Sequence, residues 1–177
     1  ARADTWSAGK ASSSDEAALL ATAGSGAIPG GYSIEVARLA SRQTVASAAF
    51  ADAAAVVGGG TLRIRMGSLD EAGTAFTPDS SRPEVSIDIA DGATLADVRN
   101  AINAAGAGVS ATLVADGSGQ RLMLRSTDSG AAQAFSITVE DPDGGNTDGA
   151  GLSALAFDPA AAAGSGRNLQ LTQAAQD

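Results

Sequence analysis

The chain has 177 residues, a formal charge of −9 at pH 7, and neither histidine nor cysteine. Without these two residue types it cannot build a Ser-His-Asp triad, a His-ligated metal site, a cysteine nucleophile, a thiolate zinc site or a disulfide. Its ten arginines and single lysine are scattered, and no apolar run approaches the roughly 20 residues of a membrane span. We therefore expect no enzyme, no catalytic residue, no cofactor, no metal, and neither nucleic acid nor a membrane as partner.

The first 57 residues carry weak structural signals. The run AALLATA at 17–23 is compatible with a strand, although the preceding SSSDE could equally cap a short helix. The run YSIEV at 32–36 predicts a half-buried strand, because its apolar residues alternate with Ser33 and Glu35. The alanine-rich segment 41–57 favours a helix by composition but shows no apolar stripe, so its structure stays open.

From Gly58 onward the alternation of apolar and polar residues is clearer. TLRIRM at 61–66 predicts a strand with one wet face, and a polar loop containing Pro78 and Pro83 follows it. After a further strand at 84–90 and one helix, the remaining predicted strands are VSATLVA (109–115), RLMLRS (121–126), AFSITVE (134–140) and NLQLT (168–172).

The run TLADVRNAINAAG at 94–106 predicts the one clear helix. Thr94 and Asp97 make a capping box at its start, and Gly106 stands where a left-handed C-cap residue belongs. Three apolar residues follow helical spacing: Leu95, Val98 and Ile102. Short strands around one helix give an α+β fold in which β-structure dominates and the strands are antiparallel.

We expect this helix to pack on a single sheet of four or five of these strands, in one lobe spanning 52–154. The residues expected to share the helix's core are Leu62, Ile64, Ile87, Leu113, Leu124 and Ile137.

Two further patterns are better explained by structure than by chemistry. The glycines at 58–60 precede a strand, whereas phosphate-binding loops follow a strand and open a helix, so we interpret them as a hinge or linker. Asp88 and Asp91 fit a wet strand face and a turn rather than a catalytic carboxylate pair. The lone indole, Trp6, is interpreted as a packing residue.

The polar excursion at 141–151 resembles a calcium loop at first sight. Asp141, Asp143 and Asp148 supply carboxylates, but Asn146 stands where an EF-hand requires glycine and Leu152 where it requires glutamate. We expect a solvated loop without a metal.

An ordered series of sequence patches carries a resemblance to a known family. KASSSDEAALLATAGSGAIPGGYSIEVARLASRQTVASAAF at 10–50, with Gln43 and Ser47 among its marks, resembles the end of the amino-terminal region of flagellar hook-associated protein 2, the filament cap. VGGGTLRIRMG, SIDIADGATLADVRNAIN and GVSATLVADGSGQRLMLRSTDSG resemble a segment centred on Ile-Asn, here Ile102-Asn103. NLQLTQAAQD at 168–177 resembles the lead-in to the cap protein's carboxy-terminal region.

The resemblance implies a structural assembly protein: the middle head-domain part of a bacterial flagellar filament cap, which guides flagellin polymerisation at the filament tip. It implies export by the flagellar secretion apparatus without a cleaved signal peptide, and an extracellular location at the tip of the flagellum. The implied partners are other cap subunits in a homo-oligomeric ring, flagellin, and the hook-filament junction proteins.

Two other classes of function stay open at this point. Flagellins share the Ile-Asn segment, so the chain could be the variable outer domain of a flagellin or a filament-surface adhesin with a role in cell adhesion. A carboxylate-only enzyme or a carbohydrate-binding module is a third possibility, which the single Trp and single Tyr disfavour.

The resemblance also implies that one domain is inserted into another. Residues 1–51 would form the first part of a host head domain, 52–154 the inserted domain with the Ile-Asn segment, and 155–177 a return strand into the host. The family's helical legs lie outside this sequence, so we expect the chain by itself to be a monomer or a weak oligomer.

Overall fold

A computed structural model describes residues 9–36 and 38–177, and Trp6 lies outside these ranges. The chain divides into two units, 1–37 and 38–177, which are treated separately below.

In the first unit, the described residues 9–36 form turns at 16–18 and 25–26 and no strand or helix. The Asp15 carboxylate accepts hydrogen bonds from the backbone N–H groups of Ala17 and Ala18, which accounts for the turn at 16–18. The predicted strand at 32–36 is therefore wrong for this chain, as are both alternatives offered for 17–23. The apolar residues at 32–36 are exposed, and the segment forms no backbone pairing with another described segment.

The described part of the second unit contains eight strands, one α-helix and two short 3₁₀ turns, at Ala131–Gln133 and Gly151–Leu155. In chain order the strands and helix are β1 (Thr44–Ala46), β2 (Gly60–Leu69), β3 (Phe76–Pro78), β4 (Val85–Ile89), α1 (Leu95–Ala105), β5 (Val109–Asp116), β6 (Gly119–Ser126), β7 (Ala134–Glu140) and β8 (Gln170–Gln173).

The strands form two antiparallel sheets. The first has the order β5-β6-β1-β8. In the second, β2 lies at the centre, with β7 along one side and both β4 and β3 along the other. The α+β, β-dominant fold class is confirmed, but the prediction of a single sheet is wrong. The β5-β6 hairpin joins β1 and β8, which lie far from it in sequence, rather than the sheet built on β2.

Two segments with weak sequence signals also form strands. The open segment 41–57 contributes β1, although its composition favours a helix. The predicted polar loop after β2 contributes β3, which pairs with the end of β2 from Gly67 to Leu69. Pro78 is tolerated there because it ends a strand at the edge of the sheet.

Helix α1 begins and ends as predicted. Thr94 and Asp97 form the capping box, with Thr94 Oγ1 accepting from the Asp97 N–H at 3.2 Å and Asp97 Oδ2 accepting from the Thr94 N–H at 3.0 Å. Gly106 ends the helix with φ of 62°, a left-handed conformation that favours glycine.

The buried face of α1 shares one hydrophobic core with both sheets. Leu95, Val98 and Ile102 are fully buried. The predicted strand residues are also buried, except Leu113, which is partly buried at the edge of the core. The loop after β7 completes the core, and the rings of Phe135 and Phe157 lie 6.5 Å apart at a tilted angle. The residues that this loop contributes are Leu152, Leu155, Ala156 and Phe157.

The compact unit runs from 38 to 177, and within it β1 pairs with β6 on one side and with β8 on the other. Strands β1 and β8 lie outside the 52–154 segment and β6 lies inside it, so one continuous sheet contains strands from both sides of the predicted boundaries at 51 and 154. The division into a host domain and an inserted domain concerns the longer parent protein and stays a prediction.

Candidate functional site

The Ile-Asn segment lies on α1 and uses its two residues for different contacts. The side chain of Ile102 is fully buried in the core. Asn103 points along the adjacent edge of β5, where its Nδ2 donates to the carbonyl of Ala111 at 2.9 Å and its Oδ1 accepts from the Ala111 N–H at 2.8 Å. The pair thus fixes α1 to the core and to a strand edge at once.

Asn103 bonds to Ala111 as a residue of a neighbouring strand would. A carboxamide offers one donor and one acceptor, which match the N–H and C=O of one peptide-chain residue. Sequence reasoning singled out this segment but missed the contact. The available signal was an asparagine in the last turn of a predicted helix, because asparagine is a weak helix former that favours positions where its side chain has a hydrogen-bond partner.

A second side-chain amide joins the two sheets. Gln43 is fully buried just before β1, and its Nε2 donates to the carbonyl of Phe135 at 2.9 Å while its Oε1 accepts from the Phe135 N–H at 3.0 Å. Phe135 belongs to β7 of the other sheet. The backbone N–H of Gln43 also donates to the hydroxyl of Ser126 in β6, at 3.0 Å.

Ser47, the other mark of this sequence patch, is also buried. Its hydroxyl oxygen accepts from the Leu122 N–H at 2.9 Å and extends the pairing of β1 with β6. Gln43 and Ser47 therefore flank a three-residue strand on either side: Gln43 joins it to the other sheet, and Ser47 extends its pairing with β6.

The wet face of β2 carries charged residues that pair with one another. Arg63 contacts Glu140 and lies 3.7 Å from Glu84, and Arg65 lies 3.2 Å from the other Glu84 oxygen. These pairs border a shallow hollow of about 230 Å³. Exposed ion pairs of this kind contribute little to stability, and the face is a solvated surface.

Two of the glycines at 58–60 are needed for close packing, and the interpretation of this run as a hinge or linker stays a prediction. A Cβ on Gly59 would lie 2.8 Å from the backbone of Asp91, and one on Gly60 would lie 2.3 Å from the carbonyl of Glu140. Neither glycine lies at the start of a helix. On the strand opposite, Asp88 accepts a hydrogen bond from the Thr61 hydroxyl at 3.2 Å, as the wet-face interpretation requires.

The carboxylates of the 141–151 loop accept hydrogen bonds from the loop's own chain. Asp143 accepts from the Gly145 N–H at 2.7 Å, Asp148 accepts from the Ala150 N–H at 2.9 Å, and Asp141 accepts from the Ser153 N–H at 3.3 Å. The bond from Ala150 is the main cause that lowers the pKa of Asp148. Across the described residues, no three acidic side chains converge as metal ligands would.

In the described ranges, no helix has the length and apolar character to cross a membrane. The side chains of Gln43, Ser47 and Asn103 all bond to other parts of the same chain. They add hydrogen bonds between elements that already share one hydrophobic core, as expected of a structural domain.

Two family models match the chain. Residues 1–43 match the model of the flagellar hook-associated protein 2 N-terminus, and residues 72–128 match the flagellin hook IN motif. The second range contains α1 and the β5-β6 hairpin.

Curated relatives show the same similarity. The B-type flagellar hook-associated protein 2 of Pseudomonas aeruginosa is 43% identical over 156 residues, which is 86% of this chain and 30% of the relative. Flagellar hook-associated protein 2 of Escherichia coli K12 is 34% identical over 147 residues, 80% of this chain and 29% of the relative. The chain thus spans less than a third of the length of these relatives.

Solved structures agree with this similarity. The D2-D3 domains of the Escherichia coli flagellar cap protein FliD match with a TM-score of 0.68 at 29% identity, over 88% of this chain and 71% of theirs. FliD from Pseudomonas aeruginosa matches with a TM-score of 0.53 at 36% identity, over 78% of this chain and 56% of that chain. The chain belongs to the flagellar hook-associated protein 2 family, as the sequence patches indicate.

Proposed function

We propose that this chain is the head-domain part of a flagellar filament cap and acts in the assembly of flagellin at the filament tip. The observation that carries the proposal is the match to the D2-D3 domains of the Escherichia coli cap protein over most of both chains. The described residues add support, because Gln43, Ser47 and Asn103, which lie in the sequence patches of the resemblance, bond to other parts of the fold.

The partners that follow from this role are other cap subunits in a ring, flagellin, and the hook-filament junction proteins. The location that follows is the outer tip of the flagellum, reached through the flagellar secretion apparatus. The absence of cysteine and histidine from the sequence supports a role without catalysis, cofactor or metal. Within the parent protein, we assign 52–154 to an inserted head domain, and 1–51 with 155–177 to its host.

A second candidate is the outer domain of a flagellin. The match of 72–128 to the flagellin hook IN motif favours it, because that description names flagellin. The match of 1–43 to the amino-terminal region of hook-associated protein 2 favours the cap.

Immunogold labelling of the intact parent protein in its own cells separates the two candidates. With an antibody raised against this chain, a cap subunit gives gold only at the distal tip of each filament, whereas a flagellin domain gives gold along its whole length. Labelling along the filament would overturn the cap proposal.

A chimera tests the assembly role directly. Residues 38–177 would replace the matching segment of hook-associated protein 2 in Pseudomonas aeruginosa, and filament length and free flagellin in the medium would be measured. We expect filaments to form and free flagellin to fall relative to cells lacking the cap protein. A matched chimera with the exposed substitution Asn100→Ala should behave identically, while one with Ile102→Asp should fail, because that change places a charge in the core. A folded and exported chimera that leaves cells without filaments would contradict the proposal.

A further inference from the structure

Strand β5 is an edge of its sheet, since it pairs with β6 on one side only. In an antiparallel pair, the N–H and C=O of successive residues point alternately toward the partner strand and away from it. The bonds from Asn103 to Ala111 show that the backbone groups of Ala111 point away from β6. By the same alternation, Leu113 and Ala115 also point their backbone groups outward.

The pairing on the far side of β6 supports this assignment. Ala111 lies opposite Leu124, and Leu124 in turn lies opposite Val45 of β1. The neighbouring N–H groups of Leu122 and Ser126, two residues away on either side, donate toward the β1 side of β6. Leu124 therefore pairs with β1, and Ala111 is left to bond outward.

The outward edge of β5 consequently has two parts. At Ala111, which is buried, the Asn103 amide fills both hydrogen-bonding positions. Around Ala115 and its neighbour Val114 the residues are exposed, and no side chain in the described ranges bonds to the outward groups. Unpaired strand edges of this kind are templates for pairing with a strand of another chain.

We propose that Asn103 is an edge-blocking residue: its side chain substitutes for a neighbouring strand at Ala111 and limits pairing of this sheet with a strand from a second copy of the chain. With Asn103 in place, the outward groups beyond Ala111, toward the exposed end of β5, are those of Leu113 and Ala115. Without it, Ala111 joins them, and the last turn of α1 loses its bonds to the strand that it covers. The open part of the β5 edge then grows from two outward-pointing residues to three, and α1 covers it less firmly.

Hydrogen exchange of the unmodified 177-residue chain gives a test that needs no substitution. We expect the Ala111 amide to exchange at least about tenfold more slowly than the amides of Leu113 and Ala115, because a lost hydrogen bond of about 1.4 kcal/mol corresponds to tenfold in an equilibrium. An Ala111 amide that exchanges as fast as these two would overturn the proposal.

Sedimentation velocity over a range of concentrations then tests the blocking role. Asn103→Ala should associate more strongly than the wild type, whereas Asn100→Ala, on the exposed side of the same helix, should not. Adding Ala115→Pro to Asn103→Ala should reverse the association, because proline removes an outward N–H and leaves the bonds to β6 intact. Asn103→Ala that associates no more than the wild type, or association that Ala115→Pro leaves unchanged, would overturn the proposal. If Asn103→Ala does not fold, the exchange measurement decides.

Discussion

Two five-residue runs share the same alternation of apolar and polar residues but differ in burial and in strand pairing. In 32–36, Tyr32 and Ile34 have exposed fractions of 89% and 63%, and the segment pairs with no other described segment. In 62–66, Leu62 and Ile64 have exposed fractions of 0% and 1%, at the centre of β2.

The difference lies in the partners and not in the pattern. Strand β2 has β7 along one side and β4 and β3 along the other, so its backbone groups are paired and its apolar face meets the core. An alternating pattern states which face of a strand can be buried, but a strand also needs a neighbour to pair with. The relatives are more than three times as long as their match to this chain, and we expect 32–36 to find its partner strand in the parent protein.

Hydrogen exchange should show the largest contrast between the two runs. Amides in β2, such as those of Ile64 and Met66, exchange through global unfolding and should be slowed by about a thousandfold or more, given a typical stability of at least about 5 kcal/mol. The amides of Ile34 and Val36 should exchange close to the unprotected rate. Strong protection at Ile34 in this chain would contradict the contrast between the two runs. Protection that appears only in the full parent protein would mean that 32–36 pairs with a strand outside this chain.

Two isoleucines provide a matched pair of substitutions. Ile102→Ala should lower the free energy of unfolding by about 2–5 kcal/mol, because it removes a fully buried side chain and leaves a cavity. Ile34→Ala should change it by no more than about 0.5 kcal/mol, because that side chain is exposed. Urea unfolding followed by circular dichroism measures both. Equal effects would mean that the second unit does not contain the main core.

Gln43 tests whether the two sheets of the second unit depend on the buried amide. Gln43→Ala removes the partners of the Phe135 N–H and C=O and should cost about 1–3 kcal/mol by the same assay. Gln170→Ala, at an exposed position of β8, is the control and should be close to neutral. A neutral Gln43→Ala would show that the sheets are joined by apolar packing alone.

The smallest expected effect is a dependence of stability on pH. Hydrogen bonds from Ser81, then from Arg82, lower the pKa of Asp79 to about 2. The unfolded chain has the ordinary value of about 4, so the unfolded state binds the proton first and stability falls as the pH drops from about 4 toward 2.

Asp79→Asn should flatten part of this decline in acid unfolding curves. Asp70 and Asp97 also have lowered pKa values and preserve the remainder. A wild-type curve that is flat between pH 4 and pH 2 would contradict the prediction.

Helix α1 is the element that the sequence predicts best, because its capping box, apolar spacing and C-cap glycine are all local. The strands from β4 to β7 and the core residues on them also follow from alternation. The candidate site was predicted in part: the Ile-Asn segment stands out by resemblance, and the burial of Ile102 follows from helical spacing. The contact of Asn103 with Ala111 required the position of β5, which lies beyond the helix.

Local chemistry in the sequence thus determined the helix, the faces of most strands and the exclusion of histidine- and cysteine-dependent sites. The tertiary structure alone decided that there are two sheets rather than one, that Gln43 bridges them, and that 32–36 pairs with no other described segment. These features depend on segments far apart in the sequence, as in the bond from the Thr172 hydroxyl to the carbonyl of Thr44, which joins residues 128 positions apart. Side-chain periodicity indicates which residues of a segment face the core and which face solvent. Strand pairing depends instead on which distant backbone comes within hydrogen-bonding distance.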